Sequence, residues 1–136
     1  MTNIQAALGV AQFEQIDKFI DKKRQIGATY NKLLKGINSI NLPIHKTSYC
    51  ENIYWVYAIT LKDDFEKNAS QIIKELSSFG IGARPFFYPM SQMPMYKTNT
   101  PESVNYIFEK GINLPTFNEI TREQVRYICN SLKSVL

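Results

Sequence analysis

Residues 80–96, GIGARPFFYPMSQMPMY, carry the side chains best suited to ligand chemistry. Arg84 has a planar guanidinium whose fork donates two parallel hydrogen bonds to a carboxylate or a phosphate. Phe87 and Tyr88 offer aromatic faces, and Tyr88 and Ser91 add hydroxyls. These groups suit holding a substrate rather than breaking its bonds. Each also has a plainer role open to it. Arg84 fits a surface or sheet edge, the aromatic residues fit a half-buried core, and Met90, Met93 and Met95 fill gaps.

Other chemistries find little support. His45 is the only histidine, and Cys50 and Cys129 stand alone without a CxxC spacing, so a zinc site is not expected. There is no phosphate-cradling P-loop and no GxSxG turn. No lysine sits in an apolar context that points to a depressed pKa. The net charge of +4 comes from scattered basic residues, apart from Lys22, Lys23 and Arg24, and reads as a solvated surface. No run approaches the ~20 apolar residues of a membrane span, and the first residues lack the basic-then-apolar order expected of a signal peptide. Two isolated thiols suit a reducing cytoplasm.

The elements that must position Arg84 and its neighbours follow from periodicity and caps. Residues 3–35 read as one long helix, about 50 Å if unbroken. Its stripe runs Ile16, Phe19, Ile20, Ile26, Tyr30, Leu33 and Leu34, broken at Lys23, and Gly36 ends it. The small apolar start, Ile4, Ala6, Ala7, Leu8, Gly9 and Ala11, reads as an interface. Residues 42–46 suggest a short edge strand, and 53–61, IYWVYAITL, a central strand. Asn68 with Gln71 caps a helix that Gly80 closes. A strand over 82–87 then opens into the loop, which Pro85 and Pro89 stiffen. A helix with Pro101 at its first position faces Val104, Ile107 and Phe108 inward. Residues 112–114 form a strand, and Thr121 with Gln124 caps a last helix burying Val125, Ile128, Cys129 and Leu132. The fold class is α/β, an α+β sandwich with a small, mainly antiparallel sheet packed with helices. Residues 1–36 form the leading helix and 37–136 the α/β domain.

GIGARPFFYPMSQMPMY, with MTNIQAALGVAQFEQID before it, YWVYAITL between and NLPTFNEIT after, resembles the C-terminal part of the DegT-type nucleotide-sugar aminotransferases, among them the perosamine synthases. The likeness spans nearly the whole chain in order. It implies the small domain of a PLP-dependent, fold-type I enzyme. Such an enzyme transfers an amino group from an amino acid, glutamate, to a nucleotide-linked 4-keto-6-deoxy sugar, and works as a homodimer. It implies that residues 1–36 lie between two domains. It implies that the Schiff-base lysine and the carboxylate on the pyridinium belong to a large domain upstream of Met1, and that the Asn-Tyr-Arg run, whose asparagine reaches a neighbouring subunit's PLP phosphate, sits immediately before the methionine matching Met1. This chain is then a fragment that is inactive alone. The resemblance places Arg84, Phe87, Tyr88 and Ser91 in a wall of the sugar pocket, with Ser91 where many members carry histidine. It implies no nucleic-acid or membrane partner. A stand-alone α/β module binding RNA or a small ligand is the alternative, and the apolar start of the first helix argues against it.

Overall fold

The computed structural model describes residues 1–136. Its elements are helices α1 (Asn3–Phe13), α2 (Ile16–Leu34), α3 (Ala69–Ser78), α4 (Glu102–Lys110) and α5 (Arg122–Val135), and strands β1 (Ile40–Asn41), β2 (Tyr57–Leu61), β3 (Arg84–Pro85) and β4 (Gly111–Leu114). The sheet runs β1-β2-β4-β3, antiparallel throughout. An α/β fold with a small antiparallel sheet is therefore observed. No helix is long and apolar enough to cross a membrane.

Local chemistry fixes most helix ends. Thr2 with Gln5, Asn68 with Gln71 and Thr121 with Gln124 form reciprocal capping boxes, each satisfying two backbone N–H groups the helix leaves free. Gly36 and Gly80 leave α2 and α3 at φ +86° and +74°, where a Cβ would be strained.

The single helix expected over 3–35 is interrupted. The Gln15 amide donates to the Gln12 carbonyl, three residues back instead of four. Gln15 itself sits at φ −110°, ψ 8° without a side-chain cap. No proline or glycine marks the break. The two halves differ in packing: α2 buries Ile26, Tyr30 and Leu34, whereas α1 buries nothing. Tertiary contact, the main source of helix stability in proteins, thus reaches α2 only.

The strands are shorter than their periodicity predicts. Residues 53–56 lie outside β2. Tyr57 pairs with Leu114, so Val56 would face Pro115, which has no N–H for the ladder. Tyr54 also adopts the left-handed region at φ +52°. β3 keeps only Arg84 and Pro85 of the expected 82–87, again because a proline ends the pairing. β1 lies at 40–41, not 42–46, where only a bridge between Lys46 and Glu51 forms. Pro101 is the cap of α4, not its first residue, and Val104 and Ile107 are exposed.

Tyr57, Ile59 and Leu61 of β2 and Ile112 and Leu114 of β4 share one sheet face. They join α2, α3 and α5 in one cluster of 21 buried apolar residues. The expected inner face of α5, Val125, Ile128, Cys129 and Leu132, lies within it. Register puts Arg84 beside Asn113 and Ala58 on the opposite, partly open face.

Candidate functional site: an arginine and aromatic surface

β3 and the turn after it carry Arg84, Phe87, Tyr88 and Ser91. The edge is pinned by the Asn113 side-chain amide, which donates to the Pro85 carbonyl at 3.0 Å. Phe86 turns inward over Gly111, where an added Cβ would lie 2.0 Å from its ring. That close approach sends the neighbouring side chain outward: Phe87 is 72% exposed. Pro89 is buried and anchors the far end. Two single 3₁₀ turns follow, Met90–Gln92 and Pro94–Tyr96.

Arg84 is exposed and pairs with no carboxylate, so its fork is open to an anion. Tyr88 is half exposed, its ring edge-on to Phe108 with centroids 5.3 Å apart. Ser91 differs from the other three. Its Oγ is 2.8 Å from the Thr100 hydroxyl, a bond that holds the loop to the segment before α4. Arg84, Phe87 and Tyr88 are thus all exposed along this edge segment, with Phe87 against Trp55 and Tyr88 against Phe108. The hollow of about 690 Å³ beside Lys18, Lys22 and Glu119 and the groove of about 420 Å³ between Lys32, Arg122 and Arg126 lie elsewhere.

Two residues of this region escaped the sequence reading. The alternation of residues 53–61 puts Trp55 in a strand, but its ring is 65% exposed and lies against Phe87, with centroids 6.3 Å apart and planes within 9°. Lys23 was only a gap in a stripe, and no lysine was expected to have a depressed pKa. Its ammonium reaches across to the Trp55 carbonyl at 3.2 Å and to the Thr116 carbonyl. Burial pulls its pKa below the ordinary lysine value, with Glu119 opposing. A charged residue on an apolar stripe was the available signal.

Next to Trp55 along the chain, the buried Tyr54 joins a polar cluster at the margin of the core. Tyr57 donates to Asn31 Oδ1 at 2.7 Å, and Asn31 Nδ2 donates to the Tyr54 hydroxyl at 2.9 Å. His45 Nδ1 is 3.0 Å from the same hydroxyl. Tyr30 stacks on Tyr57 at 4.5 Å and donates to the Pro115 carbonyl. Burial raises the pKa of Tyr30 and Tyr57, so both stay neutral donors.

Residues 1–133 match the family model described as the DegT/DnrJ/EryC1/StrS aminotransferase family. The chain belongs to that family. It is 39% identical over 140 residues to a GDP-perosamine synthase of Vibrio cholerae, covering 98% of this chain and 37% of that protein. It is 40% identical to a GDP-perosamine synthase of Escherichia coli O157:H7, covering 97% and 35%. The chain thus spans about a third of the length of these relatives. Among solved structures, a putative sugar aminotransferase of Streptococcus pneumoniae in its PLP form superposes with a TM-score of 0.84 at 27% identity, over 99% of this chain and 36% of that one. The PseC aminotransferase of Helicobacter pylori superposes at 0.86 and 23% identity, over 96% and 36%, and supports the fold.

The family uses pyridoxal phosphate, which needs a free lysine amine, a phosphate cradle and an acid facing the ring nitrogen. Lys23, the one lysine whose pKa burial pulls down, points at two backbone carbonyls rather than into a cleft. Lys23 is therefore not placed as the lysine that would hold such a cofactor.

Proposed function

We propose that this chain is the C-terminal small domain of a PLP-dependent aminotransferase. The whole enzyme would move an amino group from glutamate to a nucleotide-linked 4-keto-6-deoxy sugar, in the cytoplasm, for surface polysaccharide or a related glycoside. Its role is to bind and orient the sugar nucleotide, while the cofactor is held by the remainder of a homodimeric enzyme. Arg84 holds an anionic group of the substrate, Phe87 and Tyr88 form part of the wall of the sugar-nucleotide pocket, and Ser91 stiffens that wall or meets a sugar hydroxyl.

The observation that carries this reading is the surface from Arg84 to Tyr88: an unpaired guanidinium and two exposed aromatic rings on a proline-stiffened edge. Side chains already held in place lose little entropy when a ligand binds. α1 supports the same reading. Its Ile4, Leu8 and Phe13 are 75%, 63% and 75% exposed, an apolar face that fits residues 1–36 lying between two domains.

The test is a chimera in which this chain replaces the matching third of the Vibrio cholerae relative. Glutamate-dependent amination of its keto-sugar nucleotide is then measured. A folded chimera that turns over substrate is the expected result. A folded, cofactor-loaded chimera without turnover would refute the proposal.

A further inference from the structure

We propose that Trp55 and Phe87 together form the platform on which the nucleobase of the sugar nucleotide stacks, and that Tyr54 and Gly27 are positioning residues that hold Trp55 there. The inference rests on the aminotransferase reading above and adds the part of the substrate that each residue meets.

The backbone around Trp55 is clamped on both sides. Tyr54 precedes it in the left-handed region, φ +52°, which residues with a bulky side chain rarely adopt. That conformation is held by four contacts. The Tyr54 amide donates to Asn52 Oδ1 at 2.7 Å. The Tyr54 hydroxyl meets Asn31 and His45. Its ring, 1% exposed, lies so close to α2 that a Cβ on Gly27 would be 2.3 Å away. On the other side the Trp55 carbonyl accepts from Lys23 Nζ at 3.2 Å and from the Thr116 hydroxyl at 3.4 Å. Strained backbone and buried polar groups are thus spent on fixing a residue whose own ring packs on little within the chain.

Phe87 meets Trp55 from a segment fixed in the same way, between the ladder at Pro85 and the buried Pro89. The two rings lie within 9° of parallel at an offset-stacking distance of 6.3 Å. Trp55 is 65% and Phe87 72% exposed, so each ring keeps aromatic surface open to solvent beside the other. A nucleobase has the flat π-face such a surface takes, and stacking needs no hydrogen-bond match. A diphosphate lacks that face. Arg84, two residues before Phe86 on the same edge, is left for the phosphates.

Trp55 is the only tryptophan, so the indole N–H gives a single cross-peak in a proton–nitrogen NMR spectrum. The chain is titrated with GDP and, separately, with the base-free mannose 1-phosphate. GDP is expected to move the indole peak saturably, and mannose 1-phosphate to leave it in place. Phe87→Ala should weaken GDP about tenfold, the order of one stacking contact. Tyr54→Phe keeps the ring but releases the hydroxyl from Asn31 and His45. It should broaden the indole line and weaken GDP severalfold at temperatures far below its melting point, which a merely structural role would not do.

An indole peak unmoved by GDP up to about 20 mM, beyond the weak millimolar range, would overturn the platform. So would equal movement by mannose 1-phosphate, or undiminished GDP binding by Phe87→Ala. The two proposals fail separately. An active chimera with an unmoved indole removes the platform alone, and a GDP-sensitive indole with an inactive chimera removes the aminotransferase reading alone.

Discussion

Gly27→Ala is expected to destabilise the fold, although glycine to alanine within a helix ordinarily stabilises. The new Cβ would lie 2.3, 2.4 and 2.7 Å from three atoms of the Tyr54 ring, all well inside ordinary contact. The obstacle is a ring that cannot easily retreat. It is 1% exposed, and its hydroxyl is held by Asn31 at 2.9 Å and His45 at 3.0 Å. A shift of about 1 Å takes both bonds past the range where they count. Overpacking of this kind costs about 1–3 kcal/mol. Two lost hydrogen bonds add about 0.5–1.5 kcal/mol each. The better helix propensity of alanine returns about 1 kcal/mol. The net loss is about 3 kcal/mol, or roughly 10 °C in Tm for a domain of this size.

Thermal and urea melts of Gly27→Ala measure this, with Gly9→Ala as the control, since nothing lies within 4 Å of a Cβ at Gly9. Gly9→Ala should be neutral or slightly stabilising. In a Tyr54→Ala background the obstacle is gone, and Gly27→Ala should there cost little or nothing. An unchanged or raised Tm for Gly27→Ala in the wild-type background would refute the packing argument.

Arg84→Ala in the active chimera should lower kcat/KM for the sugar nucleotide by about 1.5–3 kcal/mol, the scale of a hydrogen bond to a charged group. The Tm should not change, and an intact kcat/KM with a lowered Tm would make Arg84 structural. Cys50 is exposed, whereas Cys129 is buried and burial pushes its thiol up to about 11. Iodoacetamide at neutral pH should therefore label Cys50 alone in the folded chain and both thiols after denaturation, as read by mass spectrometry. The folded pKa of Cys129 is raised above its ordinary 9.0, and burial raises Tyr30 and Tyr57 in the same direction. Each favours folding fully below its unfolded pKa and loses that contribution as pH rises toward the folded value. Tm should hold up to about pH 9 and fall above it; a flat profile to pH 11 would contradict the burial of these groups.

What the sequence determined by itself was local or periodic. Asn68 with Gln71 and Thr121 with Gln124 mark helix starts because a cap is made within four residues. Gly36 and Gly80 mark helix ends because only glycine leaves a helix easily at positive φ. The buried face of α5 follows from its spacing. Arg84, Phe87 and Tyr88 stood out because a stiff loop rich in large side chains has few other uses. The tertiary structure decided whatever depends on partners far along the chain. Lys23 meets residues 32 and 93 positions away, so no local pattern separates a lysine that ties two loops from one that interrupts a stripe. IYWVYAITL alternates like a strand throughout, yet only its second half pairs, because Pro115 lies opposite Val56 and Gly27 leaves room for the Tyr54 ring. The exposure of Trp55 follows from that same turn, and so does its meeting with Phe87. α4 has the apolar spacing of a buried helix, but whether such a stripe is covered depends on what lies against it, and Val104 and Ile107 are left in solvent. Periodicity says which side chains share a face, and only the folded chain says whether anything meets it.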